Sequence, residues 1–387
     1  MRVAYVSLDP GVPVFGHKGS SVHVQAVLRS LLARGAEVHL VTTRPGGRPP
    51  PDLAGVRVHT VTLAKVSDHA ARERAVQGAD RVVPSCLDEL ALGEGLDLVY
   101  ERYSLWGRSA MGWAHRHDVA SVLEVNAPLI DEQAAHRVLV DRHGADRVAR
   151  AAFSAARTVV CVSDPVTRWV TGRGGAADRV FTVANGVDTT RVQPADQPAD
   201  GSPFTIGFVG TLKPWHGVGV LLRALQLLGG VGDPRLLIVG DGPERAALEE
   251  LARSIGVGDA VELAGAVDPA DVPSLLHRMH VAVAPYPAIQ DFYFSPLKVY
   301  EYLAAGLPII ASRVGSIPEA LAHGEFGVLV DPGDPAALAT AIAALRDDSA
   351  RRTELGRAAR HAAVRDHDWS RVVDRILDLA GALDVTV

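Results

Sequence analysis

Lys298 and Glu301 stand three residues apart in the run FYFSPLKVYEYLAAGLPIIAS, Phe292 to Ser312, so a helix there puts a cation and a carboxylate on one face. Ser295 is a residue type that caps helices, and Pro296 suits the first helical position, where its missing N–H costs nothing. Gly306 is a natural stop, and Pro308 prevents continuation. The segment therefore predicts a helix capped at Ser295, followed by a short buried strand. Free N–H groups, the positive end of the helix dipole and a lysine in the first turn together attract anions. Glu301 lies further along and suits the two hydroxyls of a ribose rather than a phosphate. The combination predicts a site for a nucleoside diphosphate.

Other candidate groups sit in loops that follow apolar runs. GlyThrLeuLysProTrpHisGly (210–217) offers Gly210 and Thr211 at its opening and Lys213 and His216 as a further phosphate clamp; the competing reading is a solvated loop. Trp215 reads as structural. In GlyHisLysGlySerSerValHisVal (16–24), Gly19 and Ser20 allow a phosphate or sugar to approach the backbone, though an ordinary glycine turn has the same composition. His23, in the next turn, reads as packing or an acceptor contact. Gly240 in GlyAspGlyPro and Val267 in GlyAlaVal end two further runs, where the base of a nucleotide could rest. In the first half, Glu101 and Arg102 (TyrGluArgTyrSer) and Glu124 and Asn126 (GluValAsnAlaPro) are polar residues at strand ends, suited to an acceptor's hydroxyls or to loop capping. No metal site is expected: the one Asp-x-Asp, Asp366 and Asp368, precedes a tail helix, where aspartates cap. There is no Gly-x-Ser-x-Gly, no P-loop and no His-Glu-x-x-His.

The elements that must position these groups alternate. Arg2–Leu8, Glu37–Thr42, Leu96–Tyr100, Ser121–Val125 and Thr158–Val162 read as strands, with a helix from Ser20/Ser21 to about Arg34. A Pro/Asp-rich stretch, 193–203, reads as a linker after the Asn-Gly turn of AlaAsnGlyValAsp (184–188). The pattern then restarts with strands at Phe204–Val209, Leu236–Val239, Val261–Ala264, Val281–Ala284, Pro308–Ala311 and Gly327–Val330. The expected fold is α/β: two tandem Rossmann-like doubly wound domains facing a cleft, with ligands beyond the carboxyl ends of the strands. The expected boundaries are 1–190, 191–365 and a C-terminal helical segment, 366–387. At 387 residues with 48% hydrophobic content, two cores are the prior. A net charge of −6 without a long basic run argues against nucleic acid as a partner. Two distant cysteines, Cys86 and Cys161, suit a reducing cytoplasm. The chain opens directly on a strand, so no signal peptide is expected. No apolar run reaches the ~18–20 residues of a membrane span.

Over essentially its full length the sequence resembles the retaining glycosyltransferases of family 4, which have the GT-B fold. The likeness rests on the glycine loop with SerSerValHisVal, AsnGlyValAsp, PheValGlyThrLeuLys, ValGlyAspGlyPro and, above all, SerProLeuLysValTyrGluTyrLeuAlaAlaGlyLeuProIleIleAlaSer. The resemblance implies transfer of a hexose-type sugar from a nucleotide diphosphate to an acceptor hydroxyl, with retained configuration and usually without a metal. It also implies a final helix that crosses back to the first domain. Glu301 matches the second Glu of the family's Glu-x7-Glu motif, which holds the ribose. The backbone from Ser295 through Pro296 and Leu297 to Lys298, beside Phe294, would cradle the diphosphate, and Lys213 and Lys298 would be the cationic clamps. The sequence departs from the family at Tyr293, which stands where the first Glu of that motif meets the transferred sugar; Asp291 is the nearest substitute. Asn126 stands where many relatives have a histidine. The catalytic set implied is Lys213, Lys298 and Asn126, with no cofactor beyond the donor substrate. Membrane-docking relatives carry a basic helix, whereas Val22–Arg34 offers only Arg29, Arg34 and His23, so membrane contact is peripheral at most. The rival readings are a sugar-nucleotide epimerase on the same fold and a non-catalytic nucleotide-sugar-binding protein. Donor base, sugar, acceptor and oligomeric state are not legible.

Overall fold

The computed structural model describes residues 1–196, 203–229, 234–289 and 292–382. The chain forms two compact units. One comprises Met1–Asn185, Tyr293–Ser295 and the segment from Trp369 onward; the other comprises Gly186–Phe292 and Pro296–Asp368.

The first unit carries a seven-stranded, wholly parallel sheet. Its strands are β1 (Arg2–Ser7), β2 (Glu37–Thr42), β3 (Arg57–Thr60), β4 (Leu98–Arg102), β5 (Ala120–Val125), β6 (Thr158–Cys161) and β7 (Val180–Thr182). Their order is β3-β2-β1-β4-β5-β6-β7, so the winding reverses between β1 and β4. The second unit carries β8 (Thr205–Val209), β9 (Arg235–Val239), β10 (Val261–Gly265), β11 (Val281–Ala284), β12 (Ile309–Ser312) and β13 (Val328–Val330) in the order β10-β9-β8-β11-β12-β13, again parallel. Here the reversal lies between β8 and β11. The strand runs are Val/Ile/Leu-rich because both faces of a parallel sheet are covered by helices.

Two strands and a long helix were not expected from the sequence. β3 is an outer strand whose residues, RVHT, are partly exposed or exposed, so no apolar run marks it. β7, at the opposite edge, has three residues. The helix His69–Ala91 is largely polar and contains Pro84; Asp68 caps it, accepting from the Ala71 N–H at 2.6 Å.

The terminal helix Trp369–Leu379 shows why it is amphipathic. Trp369, Val372, Val373, Ile376 and Leu377 are buried against Val24, Val27, Leu28 and Leu31 of the helix Gly19–Ala33 in the first unit. Burying each such side chain contributes about 1.5–3 kcal/mol. The guanidinium of Arg34 adds a forked contact to Asp374, with Nε at 2.9 Å and Nη2 at 2.5 Å from Oδ1. The C-terminal helix therefore returns to the N-terminal unit. Among the described residues no helix is long and apolar enough to cross a membrane.

Two expected helix starts are corrected. The helix after β11 spans Leu297–Ala304, with Pro296 as its cap residue at φ −82, ψ 69 and no side-chain capping bond. Ser295 does not cap it: its hydroxyl is buried without a hydrogen-bond partner. Tyr293–Ser295 group with the first unit, and the helix starts only after Pro296. Likewise the first helix begins at Gly19 behind Lys18, not at Ser20/Ser21. The Ser21 hydroxyl donates to the Pro13 carbonyl at 2.6 Å and is unavailable as a cap.

Candidate functional site

In the second unit the site grows from the winding reversal, the place where open parallel sheets bind ligands. Loop 210–217 leaves the carboxyl end of β8, residues 285–287 leave the end of β11, and the helix Leu297–Ala304 presents its first turn there. Gly217 fixes the two loops together. It holds φ +68, and a Cβ on it would lie 1.8 Å from the Pro285 carbonyl oxygen. Gly217→Ala should therefore lower stability by about 2 kcal/mol or more, read as a shift in urea midpoint. Tyr302, from the same helix, accepts the Val209 N–H at 2.8 Å and so pins the helix to the end of β8.

Lys298 is the centre of this arrangement. Only 7% of it is exposed, and among the described residues its ammonium has no hydrogen-bond partner. Nζ lies 4.4 Å from the Phe208 ring centroid and 4.8 Å from that of Tyr286, so two aromatic faces partly compensate its burial. A Cβ on Gly210 would stand 3.2 Å from Nζ, so a glycine here keeps that ammonium approachable. Burial pulls the Lys298 pKa down to about 7, with Glu301 opposing. Glu301, one turn on and partly exposed, is pushed up by burial and held back by Arg191 and Lys298. A buried cation without an acceptor is unstable unless something anionic completes it.

Around it, Lys213 is partly buried, with Nζ 5.6 Å from the Trp215 ring. His216, expected as part of the phosphate clamp, brings a weakly basic ring to this loop. Burial, followed by the Lys298 and Lys213 charges, drops its pKa to about 4 despite the Thr211 carbonyl. Its Nδ1–H donates to that carbonyl, so the neutral ring offers only a lone pair at Nε2. Thr211 itself is exposed. Gly240 is also corrected: its N–H is spent on the Gly265 carbonyl at 2.8 Å, and it exists as glycine because a Cβ would lie 2.1 Å from the Gly210 oxygen. It packs strand ends and does not read a base edge through its N–H. Val267 is partly exposed beyond β10. Asp291 lies outside the described residues.

In the first unit a buried carboxylate organises the end of β5. Glu124 is 3% exposed. Its Oε2 accepts from the Tyr100 hydroxyl at 2.5 Å, and its Oε1 lies 2.8 Å from His23 Nε2 and 3.1 Å from Arg102 Nη1. The Asn126 amide also donates to Oε1. Burial raises the Glu124 pKa, but His23, Arg102 and Tyr100 outweigh it and hold the group at about 2. Because a carboxylate only accepts, Asn126 must turn its nitrogen inward and leave Oδ1 for a ligand. Tyr5 stacks on Tyr100 at 5.1 Å, and His23 meets the Trp369 ring edge-on at 4.7 Å.

The acceptor expectations are corrected accordingly. Glu124 is committed to internal partners, and His23 is buried between it and Trp369. Glu101 is 0% exposed and points into the core, where a Cβ on Gly107 would approach its Oε1 to 2.5 Å. Burial, then Asp80, raise its pKa well above the usual carboxylate range. Arg102 and Asn126 retain some exposure, as do Gly19 and Ser20. Tyr293, in place of a family glutamate, donates its hydroxyl to Glu132, and its carbonyl accepts from Ser163 Oγ at 2.8 Å. Its ring lies 4.3 Å from that of Phe294. Sequence reasoning missed Phe208, Tyr286, Gly217 and Tyr100. The first two stand at the ends of neighbouring strands at the winding reversal, a signal available once strand order is known.

Comparison with known proteins agrees with this geometry. Residues 17–191 match the family model described as Glycosyltransferase Family 4, and residues 203–348 match Glycosyl transferases group 1. A D-inositol 3-phosphate glycosyltransferase of Thermomonospora curvata is 30% identical, the match covering 99% of this chain and 96% of that protein. Among solved structures, sucrose-phosphate synthase from Thermosynechococcus elongatus superposes with TM-score 0.73 at 22% identity, over 99% of this chain and 98% of the other. The Anabaena protein HepE, solved in complex with UDP, gives 0.72 at 18%, over 99% and 100%. These two establish the fold as GT-B. With a 30% identical relative matched end to end and both halves of the chain accounted for, this protein belongs to glycosyltransferase family 4 and is a glycosyltransferase.

Proposed function

We propose that the enzyme transfers a hexose-type sugar from a nucleoside diphosphate donor to an acceptor hydroxyl, with retention and without a metal. The observation that carries this reading is Lys298: a buried ammonium lacking any acceptor, beside a glycine, at the first turn of a helix and at a winding reversal. A diphosphate supplies the missing anion. As the glycosidic C–O bond breaks, charge builds on the leaving phosphate oxygen. Lys298, Lys213 and the N–H groups opening the helix Leu297–Ala304 are the groups that stabilise it. Glu301 takes the ribose hydroxyls. The acceptor oxygen bonds to the anomeric carbon on the face the phosphate leaves, and its proton passes to the departing phosphate oxygen. In the first unit, Asn126 Oδ1 is left to accept from a substrate hydroxyl. The UDP complex of the Anabaena fold relative makes uridine the first base to test.

A thermal-shift panel of UDP, GDP and ADP with their glucose conjugates tests the reading. A ligand at 100 times its Kd stabilises by about 2.7 kcal/mol, so one base family should stand out. Turnover of the selected donor should be unchanged by a chelator, and the new linkage should keep the donor's anomeric coupling by proton NMR. No stabilisation by any nucleotide, or loss of turnover with chelator, would refute the corresponding part.

A further inference from the structure

The first unit contains an arginine-lined hollow apart from the groups assigned above to the transfer reaction. It is a hollow of about 230 Å³ between the long helix His69–Ala91, the loop after β4 and the helix Arg142–Ala155. Asp80, Arg81, Trp106, Arg108, Asp141 and Arg147 line it. The two carboxylates are occupied by the fold. Asp80 is buried and caps the helix Ser109–Arg116: Oδ1 accepts from the Arg108 and Ser109 N–H groups at 3.1 and 3.0 Å, and Oδ2 from the Ser109 hydroxyl at 2.6 Å. Asp141 caps its own helix through the Gly144 N–H at 2.7 Å and lies 3.9 Å from Arg147. Arg81 and Arg108 are exposed, and among the described residues neither has a carboxylate partner.

We infer that this pocket binds the phosphate group of a small phosphomonoester, held by the guanidinium groups of Arg81 and Arg108 with Arg147 at the rim. Guanidinium forks match tetrahedral oxyanions, and Arg81, Arg108 and Arg147 outnumber the two capping aspartates around the hollow by one charge. The hollow is smaller than the ~300–1,000 Å³ of drug-sized sites, which fits a small ligand. Trp106 gives it an apolar wall. The site is made wholly of first-unit residues and is independent of the nucleotide reading.

The test is calorimetric titration of the full-length protein with inorganic phosphate, against chloride at matched ionic strength. Three variants are compared with wild type: Arg81→Gln/Arg108→Gln, Arg81→Lys/Arg108→Lys and Lys298→Ala. Both arginines are exposed, so the glutamine pair should fold, as circular dichroism will verify. Wild type and Lys298→Ala should share a phosphate-binding event that weakens about tenfold or more in the glutamine pair and partly returns in the lysine pair. The pocket is refuted by three outcomes: no binding in wild type, equal binding in the glutamine pair, or binding lost only in Lys298→Ala. The last outcome would assign phosphate to the nucleotide site and leave that reading standing.

Discussion

Lys298→Met should leave the empty protein as stable as wild type or more so, while turnover falls by about 10²–10³-fold. The buried ammonium has two aromatic faces and no hydrogen-bond acceptor, so the folded state bears its desolvation cost. Methionine fills similar space without that cost. The same charge is needed as the phosphate leaves, where one well-placed donor supplies about 2–4 kcal/mol of barrier reduction. The pH dependence follows. Lys298 titrates at about 7 in the folded protein, against an ordinary 10.5. Between these values the unfolded chain binds the extra proton, so this residue makes stability rise with pH across that window. The variant should lack that slope. Nucleotide binding to wild type should weaken above pH 7, because the diphosphate must then recruit a proton to the amine. Thermal midpoints and nucleotide affinity between pH 6 and 10 check both statements. A strongly destabilised Lys298→Met, or one that turns over normally, contradicts the assignment.

Glu124→Ala should produce the largest stability loss of any single change at the strand ends, about 3–5 kcal/mol in a urea titration. It would strand His23 in a buried place, remove the carboxylate partner of Arg102 and leave the Tyr100 hydroxyl unpaired. Glu124 is depressed to about 2 in the fold, below its ordinary 4.5. Its contribution is therefore complete above the unfolded value and is lost as pH falls from about 4.5 towards 2, a span on the order of 3 kcal/mol. Glu124→Gln should flatten acid unfolding in that window. It should also lower kcat more than nucleotide affinity, since a neutral amide no longer dictates which way Asn126 faces. Unchanged acid unfolding in the Gln variant would show that the cluster is not the anchor its distances imply.

Much of this architecture was legible in the chain. Val281–Ala284 and Glu37–Thr42 coincide with the strands found, because Val-containing apolar runs bounded by Pro285 in one case and Gly35 in the other leave little choice. The Lys298–Glu301 spacing on one helix was also readable. The direction of side chains at strand ends was not. Glu101 and Arg102 are neighbours in β4 and so point to opposite faces; both faces of a parallel sheet are covered, and no pattern says which neighbour reaches open space. Glu101 turned out to be sealed in the core. Ser295 followed local capping preferences on paper, yet Pro296 at ψ 69 delays the helix by one residue. The aromatic enclosure of Lys298 joins residue 208 to residues 286 and 298, a relation that only strand order creates.

The central claim is that the helix after β11 grips a diphosphate through Lys298 and a ribose through Glu301. A crystal structure of the protein with a bound nucleoside diphosphate tests it most directly. Phosphate oxygens within hydrogen-bond distance of Lys298 Nζ, and ribose hydroxyls on the Glu301 carboxylate, are the expected result. A nucleotide seated elsewhere, with the Lys298 ammonium still facing only the Phe208 and Tyr286 rings, would contradict it.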